Sequence, residues 1–227
     1  MQQIPVIVIS SSREGTGKTT LALNLAAAMW CDGYDVGLLT NENNAVRNFL
    51  QKRRELCKQH NIQMPFPFLL EETHEFPQSA NEKKVIIADI AATDNQKYAA
   101  LFGAAHTLIT VAATRDDLSW PMNHPYANII WQAKKQLASK NAGFLNWIVV
   151  PDQLTAASDD FSSTLGEMAK RHGFRVAPSL HFRSAFQHIN DGYCAADMAL
   201  FPEVLPMTMA DVYARREILT LTDFLWR

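Results

Sequence analysis

The sequence predicts an α/β domain in which a mostly parallel β-sheet carries helices on both faces. Three observations lead there. Short apolar, β-rich runs alternate with helix-like stretches along the chain, the order of elements that builds a parallel sheet. The runs are near-continuously apolar, as strands are when both sheet faces are covered. The first run also opens into a glycine-containing loop that ends in Gly-Lys-Thr-Thr at the start of a helix-like stretch, the local order of a phosphate-binding loop.

The elements follow in turn. Ile4 to Ile9 is the first strand. The helix after the loop starts near Gly17 and stops at Asp32-Gly33, where glycine suits the position just past the last turn. Val36 to Thr40 is the second strand, and Ala45 to Lys58 reads as a basic amphipathic helix. Met64 to Leu70 contains Pro65 and Pro67, so it must be extended. Val85 to Asp89, Thr107 to Ala113, Phe144 to Pro151 and a short Arg175 to Pro178 complete the strands. Helices are expected through Asn128 to Ala138 and from Ser158-Asp159 to His172-Gly173. The tail from Thr208 opens with a threonine cap and Asp211 at the third helical position. No repeat, low-complexity tract or linker interrupts the chain, so residues 1–227 read as one domain.

The bulk composition sets limits. A chain of 227 residues suits one α/β domain with a real core, and 48% hydrophobic content argues for a globular protein. A net charge of −2 leaves any contact with DNA to a local patch. Cys31, Cys57 and Cys194 are far apart and lack metal-ligand spacing, which fits free thiols in a reducing compartment. The N-terminus has no basic leader region, and the apolar stretches are too short or interrupted to span a bilayer. A cytoplasmic protein without a membrane segment is expected.

The loop carries the chemistry. In Ser12-Arg-Glu-Gly-Thr-Gly-Lys-Thr-Thr20, the backbone N–H groups of the loop and of the helix N-terminus point at one spot and carry partial positive charge. Within Gly15-Thr16-Gly17 the glycines would let the backbone approach a β-phosphate. Lys18 would bridge the β- and γ-phosphates, Thr19 would place its hydroxyl on Mg²⁺, and Thr20 would reach the α-phosphate. Asp89, ending the buried run Val-Ile-Ile-Ala-Asp, would hold a water of that Mg²⁺. Together these specify a three-layer P-loop NTPase fold. The bland alternatives are a Gly/Ser turn before a helix and an aspartate capping a turn. The strict pattern begins with glycine, and Ser12 stands in its place.

The same loop resembles the deviant Walker A loop of the ParA/MinD superfamily, which carries lysine at the position of Arg13 and glycine at that of Glu14. Further blocks are similar to the MipZ branch: Val46 to Arg54 followed by Met64-Pro-Phe-Pro67, Asn128 to Lys135, Leu145 to Val150, and Leu165 to Arg183. The resemblance covers nearly the whole chain. It implies a monomer that binds Mg-ATP and a homodimer that sandwiches two nucleotides. It also implies non-specific DNA binding with association to the nucleoid, recruitment by a ParB-like centromere-binding protein, and action on FtsZ. Slow hydrolysis would return the monomer.

Departures from the family pattern fall at the site. Arg13 replaces the lysine that reaches the partner's phosphates, and it keeps the charge in a fork suited to phosphate oxygens. Glu14 brings a carboxylate close to polyphosphate and disfavours positive φ. Thr40 and Glu42 replace the aspartates of a D-x-D motif, and Glu42 would position the attacking water from a longer stem or be a solvated loop acid. Asp89-Ile-Ala-Ala92 replaces D-T-P-G, whose glycine N–H senses the γ-phosphate. Asp152, where the family has an asparagine that reads adenine, could accept from adenine's amino group or from guanine's N1–H and N2–H. A plain turn after a strand is the alternative.

Two basic clusters, Arg47, Lys52, Arg53, Arg54 and Lys134, Lys135, Lys140, are solvated helix faces or candidate phosphate contacts. Trp120 and Trp131 read as core or interface residues, and Phe224, Leu225 and Trp226 as the end of the last helix that docks on the sheet or, if exposed, binds a partner. The expected function is thus a MipZ-like switch with Lys18, Glu42 and Arg13 in the catalytic roles. A pseudo-ATPase scaffold is the second reading. A metabolic P-loop ligase of the dethiobiotin-synthetase kind is the third, lacking any substrate constellation of its own.

Overall fold

A computed structural model describes residues 5–40, 43–64, 68–69, 85–118, 120, 124–139, 144–152, 159–181 and 183–226. Among the described residues seven strands form one sheet: β1 (Val6–Ser10), β2 (Val36–Thr40), β3 (Phe68–Leu69), β4 (Val85–Asp89), β5 (Thr107–Ala112), β6 (Asn146–Pro151) and β7 (Arg175–Val176). Their order is β3-β2-β4-β1-β5-β6-β7. Every pairing among them is parallel. β1 is central, with Ile9 opposite both Asp89 of β4 and Ile109 of β5.

Two apolar layers enclose the sheet. Ile7, Ile9, Leu38, Ile87, Val111 and Val150 point to one face, where they meet α1 (Lys18–Cys31), α2 (Asn43–His60) and α6 (Met209–Leu225). Val8, Leu39, Ala88, Leu108, Trp147 and Val149 point to the other, against α3 (Ala99–Ala104), α4 (Pro125–Ser139) and α5 (Asp159–His172). Alternate residues of each strand thus serve opposite layers, and the expected three-layer architecture holds.

The helix ends follow the local chemistry. α1 closes in a Schellman motif: the N–H of Gly33 reaches the carbonyl of Trp30 at 2.9 Å, and that of Tyr34 reaches Met29 at 3.1 Å. α6 opens in a capping box, with the Thr208 and Asp211 side chains each accepting from the other's backbone N–H. α6 packs on α1 through Ile218, Leu221 and Leu225, and Trp226 stacks on Tyr34 at 5.6 Å.

Several details differ from the sequence expectations. α3 is an unanticipated helix of six residues, and the segment Ser184–Asp191 is a 3-10 helix that packs against α1, α2 and α6. Trp120, by contrast, is a core residue as expected, buried against Trp147 and Tyr126, and Trp131 is exposed. Arg53 does not belong to an exposed basic cluster. It is buried and forms two hydrogen bonds of 2.7 Å with Asp197. Lys134 is likewise committed: its ammonium donates to the carbonyls of His172 and Gly173 at the end of α5 and lies 4.7 Å from the Trp147 ring. Lys140 lies outside the described residues.

Candidate functional site

The site lies beyond the carboxyl ends of β1, β2, β4, β5 and β6, where ligands bind in open α/β sheets. The chain leaves β1 at Ser10 and turns into α1 through Gly15 (φ 74°) and Gly17 (φ 88°). Both are left-handed conformations that glycine adopts without a Cβ penalty. This curl aims the N-terminus of α1 at the loop's interior. Glu14, in contrast, is not at positive φ, since Asn61 is the one non-glycine residue there among the described residues. The strain expected from replacing a glycine is absent.

Strand-end residues complete the floor. Asp89 sits opposite Thr40 in the β2–β4 register. Its Oδ2 accepts from the Thr19 hydroxyl at 2.7 Å and from the Thr40 hydroxyl at 3.4 Å. The hydroxyl and carboxylate expected to hold a metal are therefore adjacent. A hydroxyl and a carboxylate are hard oxygen donors of the kind Mg²⁺ takes, with nucleotide phosphates and waters filling the remaining positions. The buried Thr16 hydroxyl has no hydrogen-bond partner among the described residues, and Lys18 is 3% exposed. A curled loop with a buried ammonium and an orphaned hydroxyl suits a polyphosphate. Lys18, Thr19, Thr20 and the loop backbone would hold the phosphates, and Thr19 with Asp89 the metal.

Above this floor, the departures have built contacts of their own. The Lys18 ammonium lies 3.1 Å from Glu14 Oε2, and the Thr93 backbone N–H donates to Glu14 Oε1 at 3.2 Å. Burial opposes the Glu14 charge, but Lys18 and the N–H groups of Thr93 and Ala92 hold its carboxyl below its ordinary value. Arg13 turns away from the loop's interior. Its guanidinium forks onto the buried Asp117 carboxylate, with Nη2 3.2 Å from Oδ2, and the Asp117 hydrogen bond and charge raise its already high pKa. Asp117 also accepts from the N–H groups of Ala113 and Thr114 at 2.8 and 2.7 Å.

Asn95 ties the pieces together. Its amide donates to the carbonyls of Ser11 and Ala92, each at 3.0 Å, and its carbonyl oxygen accepts from the Ser10 hydroxyl. No sequence motif marks Asn95 and Asp117: besides local bonds, their contacts to Ser10, Ser11 and Arg13 join residues 84 to 104 positions apart. Glu42 lies outside the described residues.

Beside the loop is a cleft of about 250 Å³, lined by Gly17, Thr20, Asp152, Leu180, His181 and Phe186 among others. That volume is a little below the roughly 300–1,000 Å³ of common ligand clefts. Asp152 follows β6, 8% exposed, with its N–H on the Ala112 carbonyl at 2.9 Å. The structure thus brings Gly15, Thr16, Gly17, Lys18, Thr19, Thr20, Asp89 and Asp152 to one region, and turns the side chain of Arg13 out of the loop.

Known proteins share this architecture. An apo McdA from Cyanthece superposes with a TM-score of 0.62 at 17% identity, over 95% of this chain and 99% of that one. The MinD cell division protein of Aquifex aeolicus gives 0.64 at 15%, over 98% and 96%. The septum site-determining protein MinD of Pyrococcus horikoshii, complexed with Mg-ADP, gives 0.58 at 13%, over 98% and 96%. No curated protein matches the chain by sequence. The family model described as "ATPase MipZ" matches residues 5–125 and 108–225, which together take in nearly all of the chain. The chain belongs to the MipZ family of ATPases.

Proposed function

We propose that this protein is a nucleotide-dependent dimerisation switch that binds Mg-ATP, hydrolyses it slowly and helps to position the division plane relative to the segregating chromosome. One observation carries the reading: Thr19 and Asp89, from the loop and from a separate strand, meet at 2.7 Å beneath a buried Lys18. Mg²⁺, when bound there, would neutralise charge on the phosphates being cleaved. The chain's own contribution is to hold those phosphates on Lys18 and the loop N–H groups, and to seat the base beside Asp152. Glu42 is assigned to orienting the attacking water. Arg13 is assigned to the partner's phosphates, which requires it to leave Asp117. ParB-like protein, FtsZ and DNA are the proposed partners. Arg47, Lys52 and Arg54 are exposed on α2 and are the basic groups offered to DNA.

The pseudo-ATPase scaffold is the second reading, and the Glu14–Lys18 contact favours it, because it engages the ammonium that a γ-phosphate needs. ADP formation from Mg-ATP at several protein concentrations separates the two, with Lys18→Ala as the blank. Turnover per molecule that rises with concentration supports the switch; tight ATP binding with no ADP formed supports the scaffold. Within the switch reading, Glu42→Ala should keep nucleotide binding and lose turnover, and unchanged turnover would remove Glu42 from its role.

A further inference from the structure

The Glu14 carboxylate occupies a particular place. One oxygen faces the buried Lys18 ammonium at 3.1 Å, and the other accepts the Thr93 N–H at 3.2 Å. Thr93 belongs to the turn Ala92–Asp94 that follows β4. The carboxylate therefore bridges the start of α1 to the segment after the strand-end aspartate, with one anionic oxygen on each side. A terminal phosphoryl group has the same needs: oxygens that take an ammonium on one side and backbone N–H groups on the other.

We propose that Glu14 is a built-in stand-in for the terminal phosphate of a nucleoside triphosphate, and that it makes the site select nucleoside diphosphates over triphosphates. The proposal rests on the nucleotide reading of the loop and names its ligand preference. A diphosphate lacks the terminal group that would compete for these donors, so the Glu14 contacts to Lys18 and Thr93 stand. A triphosphate brings a third phosphoryl group to donors that Glu14 already holds. Like charges then face each other, and Glu14 must leave. The Glu14 side chain is about half exposed and can swing outward, whereas the Lys18 side chain is 2% exposed and cannot follow. Its departure would also untie Thr93 from the loop. The carboxyl is held below its ordinary value of 4.5, so it is an anion at neutral pH, as a phosphate surrogate must be.

The test is equilibrium binding of Mg-ADP and of the Mg complex of adenosine 5′-(β,γ-imido)triphosphate, which is not hydrolysed, to the wild type, Glu14→Gly and Glu14→Gln. Wild type should bind Mg-ADP more tightly. Both substitutions should shift the preference toward the triphosphate by about tenfold or more, the scale of one charge-assisted hydrogen bond, with ADP binding little changed. An unchanged preference in the substituted proteins overturns the proposal. So does a wild type that already prefers the triphosphate, a result that needs no variant to fold. Absence of binding by either nucleotide to all three proteins overturns the nucleotide site itself, and the proposal with it.

Discussion

Arg13 and Asp117 form a fork across two loops, with guanidinium Nη2 3.2 Å from carboxylate Oδ2. Asp117 is buried, whereas half of the Arg13 side chain is in solvent. The pair is therefore unequal. Asp117→Ala strands the N–H groups of Ala113 and Thr114 and should lower unfolding stability by at least about 1–3 kcal/mol. Arg13→Ala leaves those bonds in place and should cost under about 1 kcal/mol, as half-exposed ion pairs do. Urea unfolding of the two variants checks the order, and equal losses would contradict it.

Arg53 and Asp197 form a fully buried pair, and the Arg53 guanidinium also donates to the Gly192 carbonyl at 3.1 Å. Removing one partner leaves a buried charge uncompensated. Arg53→Met or Asp197→Ala should cost about 3–5 kcal/mol, and replacing both by apolar residues should recover part of it. Gly192→Ala should be as harmful, because a Cβ there would lie 2.4 Å from the Arg53 backbone nitrogen at a φ of +88°. Denaturant melts of the single and double variants provide the test.

The capping box of α6 makes stability depend on pH. Burial works against the Asp211 charge, but hydrogen bonds from Thr208 and His188 hold its carboxyl below the ordinary 3.8. A depressed folded-state value stabilises above the unfolded value and is lost as pH falls through the folded one. Asp211→Asn should therefore cost about 1 kcal/mol near neutrality, and the gap to wild type should narrow as the pH drops below 3.8. Thermal melts across the acid range would show a constant gap if the carboxylate had no such role.

Exposure sorts the basic residues of α2. Arg47, Lys52 and Arg54 are exposed, and Arg53 is not. In the proposed DNA binding, measured against salt, neutralising any one of the exposed three should reduce the log–log slope by about 1. Arg53→Met should lower stability instead, and a slope change from it in folded protein would contradict the assignment.

The site was legible where its residues are local. Lys18, Thr19 and Thr20 follow from one loop, and Asp89 from its place at the end of an apolar run. Arg53 stands in a basic run yet recurs with Val46, Phe49 and Leu50 at the spacing of one helix face. Register, and not charge, decides its place. Glu14 on Thr93, Arg13 on Asp117 and Asn95 on Ser11 join segments that only the fold brings together. No periodicity encodes such contacts. α3 escaped because six residues are too few to show a helical period.

The strand order also sets a schedule for biosynthesis. β1 is hydrogen-bonded to β4 and β5, which the ribosome delivers much later, and pairing over such separations is slow. The strand that launches the phosphate loop cannot be flanked on both sides until residue 112 has emerged. At roughly 5–20 residues per second, the first strand made waits several seconds for its neighbours. Truncated nascent chains ending before β5 are expected to leave the loop open to protease, and chains extending beyond β6 to protect it.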